Sequence, residues 1–269
     1  MNMGLYLPMT EYQPKFRLDQ MGPPSGPYQD VQTQSATQNF AIAQGMTFRD
    51  GRKFRYTLNG AADITRALMQ QSADTTATAF TKYVGVTQTG HAQAVGDREI
   101  TVLVTTGGTP ADNAFAGGYI VFTTGAQLDV YRILASKLDA TDTLMHLLLA
   151  EPIKNVVAAT AKASLIPSRW YKTIVAPATT LTGPPSGVPL CDVTAGYFYW
   201  AQTKGPCPMT VDAGETLVIG SLAGVPATDA AAGTVGVVTA TALAFPVYGR
   251  VLYIAAAGES ALIDLIIEP

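Results

Sequence analysis

The sequence predicts an all-β protein: an antiparallel β-sandwich or barrel body behind an extended N-terminal arm, with few short helices. Three observations carry that expectation. Runs with period-two alternation recur at intervals of about ten residues, and turn residues punctuate them. Neither a long amphipathic helix nor a βαβ alternation is present, which disfavours an α/β enzyme fold.

The arm is residues 1–45. It carries Pro8, Pro14, Pro23, Pro24 and Pro27 and many Gln, and it sustains neither a helical nor a strand period, so it is expected not to bury itself. Its aromatics, among them Tyr6, Tyr12, Phe16 and Tyr28, are either anchors that dock singly on another surface or incidental members of a leader. The β-rich body is 46–269. Asp50-Gly51 predicts a turn, and Lys53–Leu58 a strand in which Phe54, Tyr56 and Leu58 alternate with polar neighbours. Asn59-Gly60 then reads as a strong turn dipeptide. Further strands are expected over 99–104, 119–122, 171–175, 197–200, 209–211, 217–219, 235–238, 247–254 and 261–267, the last two as a hairpin across Ala257-Gly258-Glu259. Residues 61–73 and 141–150 are candidate short helices, the second equally a buried strand with Leu144, Leu147, Leu148 and Leu149. The Pro/Gly-rich stretch 177–189 is a loop within the body or a linker dividing it.

Composition bears on function. The 269 residues include 17 Lys and Arg and 20 Asp and Glu, 14% charged in all, against about 25% in an average domain. Ala, Thr and Gly fill more than a third of the positions. With 48% hydrophobic residues and a net charge of −3, such a chain is not intrinsically disordered. So few charges point to a surface covered by other chains, or to one kept soluble by uncharged polar groups. The charge-free stretch 230–249 has the length of a membrane span, but Gly233, Gly236, Pro246 and β-branched residues make it a pair of buried strands.

No site motif declares itself. His91 and His146 are the only histidines, and neither lies at metal-ligand spacing from other donors, so no metal or cofactor is expected. Walker, nucleophile-elbow and zinc-protease patterns are missing from the sequence, and Asp139 and Asp142 beside Lys137 read as a solvated turn. Cys191 and Cys207 are two free thiols of a protein made in a reducing compartment, or one disulfide. Arg49, Arg52, Lys53 and Arg55 form a basic cluster. As part of a strand, they read as a nucleic-acid patch or as edge charges that deter aggregation or meet an acidic partner. The acidic overall balance opposes nucleic acid. In Tyr197-Phe198-Tyr199-Trp200, Phe198 and Trp200 share one strand face and the two tyrosines the other. The run is either core or an exposed strip for sugar or protein.

Several segments together resemble tailed-bacteriophage virion structural proteins, of the head decoration or cement class. They are Asp50-Gly51-Arg52-Lys53-Phe54-Arg55-Tyr56 followed by Gly60-Ala61-Ala62; 148–157 with Glu151-Pro152-Ile153; 196–207 from Gly196 through the aromatic run to Gly205-Pro206-Cys207; and Pro246-Val247-Tyr248-Gly249-Arg250. The resemblance covers the body and not the arm, and it supplies no catalytic residues. It implies a non-enzymatic protein on the capsid surface of a virion, assembled in the bacterial host cytoplasm. Its partners would be the major capsid protein and copies of itself, as a homotrimer, without contact to nucleic acid or membrane. A tail, baseplate or fibre component is the alternative, and a carbohydrate-binding module a more distant one.

Overall fold

The computed structural model describes residues 29–73, 83–87, 94–103, 110–122, 129–139, 144–157, 161–178, 181–226, 231–238 and 246–268. These residues form an all-β fold of two antiparallel sheets, and none of them is helical. The strands are β1 (Gly45–Thr47), β2 (Lys53–Leu58), β3 (Gln70–Gln71), β4 (Tyr83–Thr87), β5 (Glu99–Leu103), β6 (Tyr119–Phe122), β7 (Val130–Leu138) and β8 (Leu144–Leu149). They continue with β9 (Lys162–Ile166), β10 (Ile174–Val175), β11 (Pro185–Pro189), β12 (Phe198–Thr210), β13 (Leu222–Gly224), β14 (Gly236–Val237), β15 (Val247–Tyr253) and β16 (Ser260–Ile266).

One sheet runs in the order β10-β3-β11-β12-β16-β15-β13-β14, with β2 also on β12 and β1 on β2. The other is β4-β9-β6-β7-β8-β5, inserted between β3 and β10 of the first. Period-two patterning explains both. In β7, Tyr131 and Ile133 are buried while Val130, Arg132 and Leu134 are exposed, and β8 alternates in the same way around Met145, Leu147 and Leu149. The inward residues of this sheet pack with Phe115, Ile153 and Leu165 into one core.

Strand β12 organises the other sheet. Its first half pairs with β2 and, across its other side, with β11; from Lys204 onward it pairs with β16. The switch falls at a register shift between Gln202 and Lys204 and at Gly205, whose φ of +83° suits glycine. Buried Gln202 holds the bend by donating from Nε2 to the carbonyls of Lys204, Gly205 and Pro206. Past the bend, Thr210 N donates away from β16, to Ala67 O, so by alternation the nitrogens of Pro206 and Pro208 face that same side. Both prolines thus occupy positions where the ladder to β16 needs no donor.

Several sequence expectations change. Residues 29–45 are not an arm: Val31, Ile42 and Ala43 are buried, and Phe40 packs edge-on against Tyr56 and tilted against Trp200. The body therefore extends back at least to Gln29, a short Pro-free stretch whose few apolar residues carry no period. Residues 61–73 form turns ending in β3 rather than a helix, since Ile64 and Met69 are tied to Val193 and Gly233 through backbone hydrogen bonds. Residues 144–149 take the strand alternative. Asn59-Gly60 is not a tight turn: the backbone nitrogens of Asn59 and Gly60 donate to Tyr197 O and Thr173 O, and buried Asn59 donates from Nδ2 to the carbonyls of Ala62, Val193 and Thr194. Within 177–189, residues 185–189 are β11, between β3 and β12, so this part is sheet and not linker. Residues 217–219 are not a strand, and Val218 and Ile219 lie exposed in a turn. The hairpin of β15 and β16 forms as expected, as do β5 and β6, and β14 lies within the expected strand at 235–238.

The N-terminal seam is held by one side chain. Gln29 Nε2 donates to Phe198 O and Thr33 O, its Oε1 accepts from Tyr56 Oη at 2.8 Å and Asn39 Nδ2 at 3.1 Å, and its carbonyl accepts from Trp200 Nε1. Burial pushes the Tyr56 phenol up to about 12, so it stays a donor at any ordinary pH. Gln29→Ala leaves that buried hydroxyl without its acceptor and is expected to cost about 1–3 kcal/mol. Chemical denaturation monitored by tryptophan fluorescence checks this, and an unchanged midpoint would show the seam to be dispensable.

Candidate functional site

Tyr6, Tyr12, Phe16 and Tyr28 lie outside the described residues, as do His91 and Asp142. The basic cluster of Arg52, Lys53 and Arg55 is described, and it does not form an open edge. Strand β2 is an interior strand, flanked by β1 and β12. Arg52 Nε donates to Asp50 Oδ2 at 2.6 Å, and its guanidinium stacks 4.9 Å from the Phe48 ring centre. Lys53 is half-buried. Arg55 points to the opposite end of the chain, with Nε donating to both carboxylate oxygens of Glu268 at 3.1 and 2.8 Å.

Around that pair lies a cleft of about 510 Å³ where the two sheets meet. Several parts of the chain build it. Strand β2 brings Arg55; the link from β9 to β10 brings Ser168, Arg169, Trp170 and Tyr171; and the paired β6 and β7 bring Tyr119 and Arg132. Gly117 and Gly118 allow the close approach. A Cβ on Gly118 would lie 2.1 Å from Ile166 O, and one on Gly117, where φ is +75°, would lie 3.0 Å from Ile42 O. Ala43 lines the cleft and accepts from Arg55 Nη1 through its carbonyl.

Glu268 is the electrostatic centre. Beyond Arg55, it accepts from Arg169 Nη2 at 3.1 Å and Thr203 Oγ1 at 3.0 Å. Burial pushes its carboxyl up, but hydrogen bonding and charge from Arg55, then Thr203 and Arg169, outweigh that and hold it below the usual range. Arg55 and Arg169 both lie over the Trp170 ring, at 5.1 and 4.3 Å, and Trp170 Nε1 donates to Ser186 O. Arg132 is exposed in the same cleft and makes no ion pair with a described residue. The arrangement can recognise an anion.

Sequence reasoning found Arg55 and missed the rest. The run Ser168-Arg169-Trp170-Tyr171-Lys172 carries a readable signal, cations interleaved with aromatics, but Arg132 and Glu268 join it only through the fold.

The aromatic strand is core. Trp200, 2% exposed, packs with Phe54 and Tyr56 on one face of β12, and Tyr199 with Ile64 and Val193 on the other, so it offers no aromatic face to a sugar. His146 is exposed on β8 with Nδ1 3.2 Å from Thr101 Oγ1, and Asp139 accepts from Leu144 N in the turn before β8. Cys191 and Cys207 are free thiols. Among the described residues, no group of three or more His, Cys, Asp or Glu is placed to hold a metal ion, and no helix is long and apolar enough to cross a membrane.

Large apolar side chains lie exposed in two places. On the outer face of the six-stranded sheet, Tyr119 stands beside Ile166 in register, Val130 and Leu134 flank Arg132 along β7, and Leu148 pairs with Ala135. At the end of β15, Leu252, Tyr253 and Ile254 are exposed, and the turn with Val218 and Ile219 is hydrogen-bonded to Val251. No family model matches the chain, and neither a curated protein nor a solved structure matches it.

Two outcomes follow for these groups. Because the Glu268 carboxyl is held low in the folded state, its contribution is full above the unfolded value of about 4.3 and is lost as pH falls through the lower folded value. Glu268→Gln should cost about 1–3 kcal/mol near neutral pH. It should also flatten the acid limb of a stability-against-pH curve, and an unaltered limb would refute the assignment. Burial, then the nearby Asp192 and Asp30, pushes the Cys191 thiol up to about 11, and burial raises Cys207 further still despite Arg52. Iodoacetamide at pH 8 should therefore label both thiols quickly in denaturant and slowly in the native protein, with Cys207 last. Rapid native labelling of Cys207 would contradict its burial.

Proposed function

We propose that this chain is a structural subunit of a bacteriophage virion, a non-enzymatic decoration or cement protein that binds the major capsid protein lattice on the capsid surface as a homotrimer. The carrying observation is the pair of exposed apolar areas, on the outer face of the six-stranded sheet and at the end of β15, in a chain that is only 14% charged. Contiguous apolar surface of this kind mark interaction sites on soluble proteins. Interface cores are depleted in charge, and the chain as a whole is poor in it. The sequence resemblance to head decoration proteins supplies the virion context. Residues 1–28 precede the Gln29 anchor and are suited to clasp a neighbour, since their spaced aromatics and prolines favour wrapping over self-burial. Many weak contacts at high effective concentration then give firm attachment.

Leu134→Glu and Tyr253→Glu test the apolar faces. Both residues are exposed, so melting should move little, by about 0.5 kcal/mol or less. Sedimentation should show loss of self-association or of co-pelleting with phage heads. Retention of both by both variants would remove the faces from the interface. Deleting 1–28 leaves the Gln29 seam in place and should weaken head binding without lowering the melting temperature. Copy number in purified virions separates the capsid from the tail: hundreds per particle is the expected result, and a dozen or fewer would place the protein in the tail, baseplate or fibre.

A further inference from the structure

We infer that the cleft between the sheets is a carboxylate-binding site, and that its ligand is an acidic side chain in an extended apolar segment of a partner protein. Arg55, Arg132 and Arg169 line it against a single carboxylate, Glu268, so the cleft is positive within a chain of net charge −3. Glu268 shows what the site recognises: its two oxygens share the single Nε–H of Arg55, and they take one donor each from Arg169 and Thr203. That leaves two sources of unused donors. Arg169 engages Glu268 only through Nη2, and Arg132, opposite Tyr119 on the neighbouring strand, has no ion-pair partner among the described residues. A planar guanidinium with free N–H groups binds a carboxylate as a fork and gives direction as well as charge.

The walls select the rest of the ligand. Ile166 and Tyr119 are exposed beside Arg132, and Pro167 and Tyr171 continue the lining, so an apolar group next to the carboxylate is accommodated. A nucleic acid fits less well, because it needs a basic stripe along a surface and the cleft is a single pocket on an acidic protein. This inference rests on the proposed virion role for its partner, a neighbouring structural protein, but its chemistry can be tested alone.

Trp170 is a built-in reporter. The chain has two tryptophans; Trp170 lines the cleft, whereas Trp200 is buried in the cluster that Trp170 packs against and does not line the cleft. Nitrogen-15 labelling of the full chain gives one indole resonance for each. Three probes are titrated: a blocked leucine-glutamate-leucine tripeptide, its glutamine counterpart, and inorganic phosphate. The expected result is a saturable shift of the Trp170 signal with the acidic peptide and a still Trp200 signal. Binding of the glutamine peptide and of phosphate should be about tenfold weaker or less. Arg132→Ala, a change at an exposed residue, should weaken the acidic peptide about tenfold with an unchanged melting temperature. No Trp170 shift, equal shifts from the glutamine peptide, phosphate binding as tight as the peptide, or an indifferent Arg132→Ala would each overturn the inference. Because no particle enters the assay, its failure is distinct from failure of head binding.

Discussion

Strand β12 must serve three packing environments within thirteen residues, and the larger sheet depends on how it does so. Phe198 and Trp200 face the N-terminal seam, Tyr199 and Ala201 face the cluster around Ile64, and Cys207 and Met209 enter the core shared with β15 and β16. A regular strand would keep the same neighbours along its length. The bend at residues 202–205 releases β2 and β11 and engages β16, and Gln202 satisfies the carbonyls that the irregularity strands. Thr203, at the same bend, reaches Glu268, and its carbonyl accepts from Ile267 N. The segment that follows β16 is thereby tied to β12.

In a chain poor in charge, the ionic groups at the junction are concentrated where elements distant in sequence converge. Arg55, Arg169 and Glu268 come from three separate regions, yet they share one hydrogen-bonded cluster over the Trp170 ring. The same principle holds around Asp212. Burial pushes its carboxyl up, but hydrogen bonds from Ala231 N, Gly214 N and the Thr234 hydroxyl override this and hold it low. At these two places charge fixes chain crossings.

The β class and most strand positions were legible because alternation is a local signal: Phe54 and Tyr56, or Tyr131 and Ile133, show their inward face directly in the sequence. The opposite faces of Phe198/Trp200 and Tyr197/Tyr199 were legible for the same reason. What could not be read was set by distant partners. Asn59-Gly60 has turn chemistry, but three carbonyls at 62, 193 and 194 capture the Asn59 amide and hold it in the interior. Residues 29–45 lack a period because they are bound through Gln29, Asn39 and Phe40 individually rather than as a regular element. The cleft was half visible, as a basic and aromatic run at 168–172, and Glu268 joins it from nearly a hundred residues away.

Pro206 and Pro208 bear on how this sheet can meet another strand. A bare strand side with free amides invites another chain to continue the sheet, and repetition of that step gives filaments of no fixed length. On the side of β12 away from β16, Thr210 N is already bonded to Ala67 O, and Pro206 and Pro208 have no hydrogen to give. A strand laid against that side would find no donor at either proline, so extension of the sheet there is disfavoured.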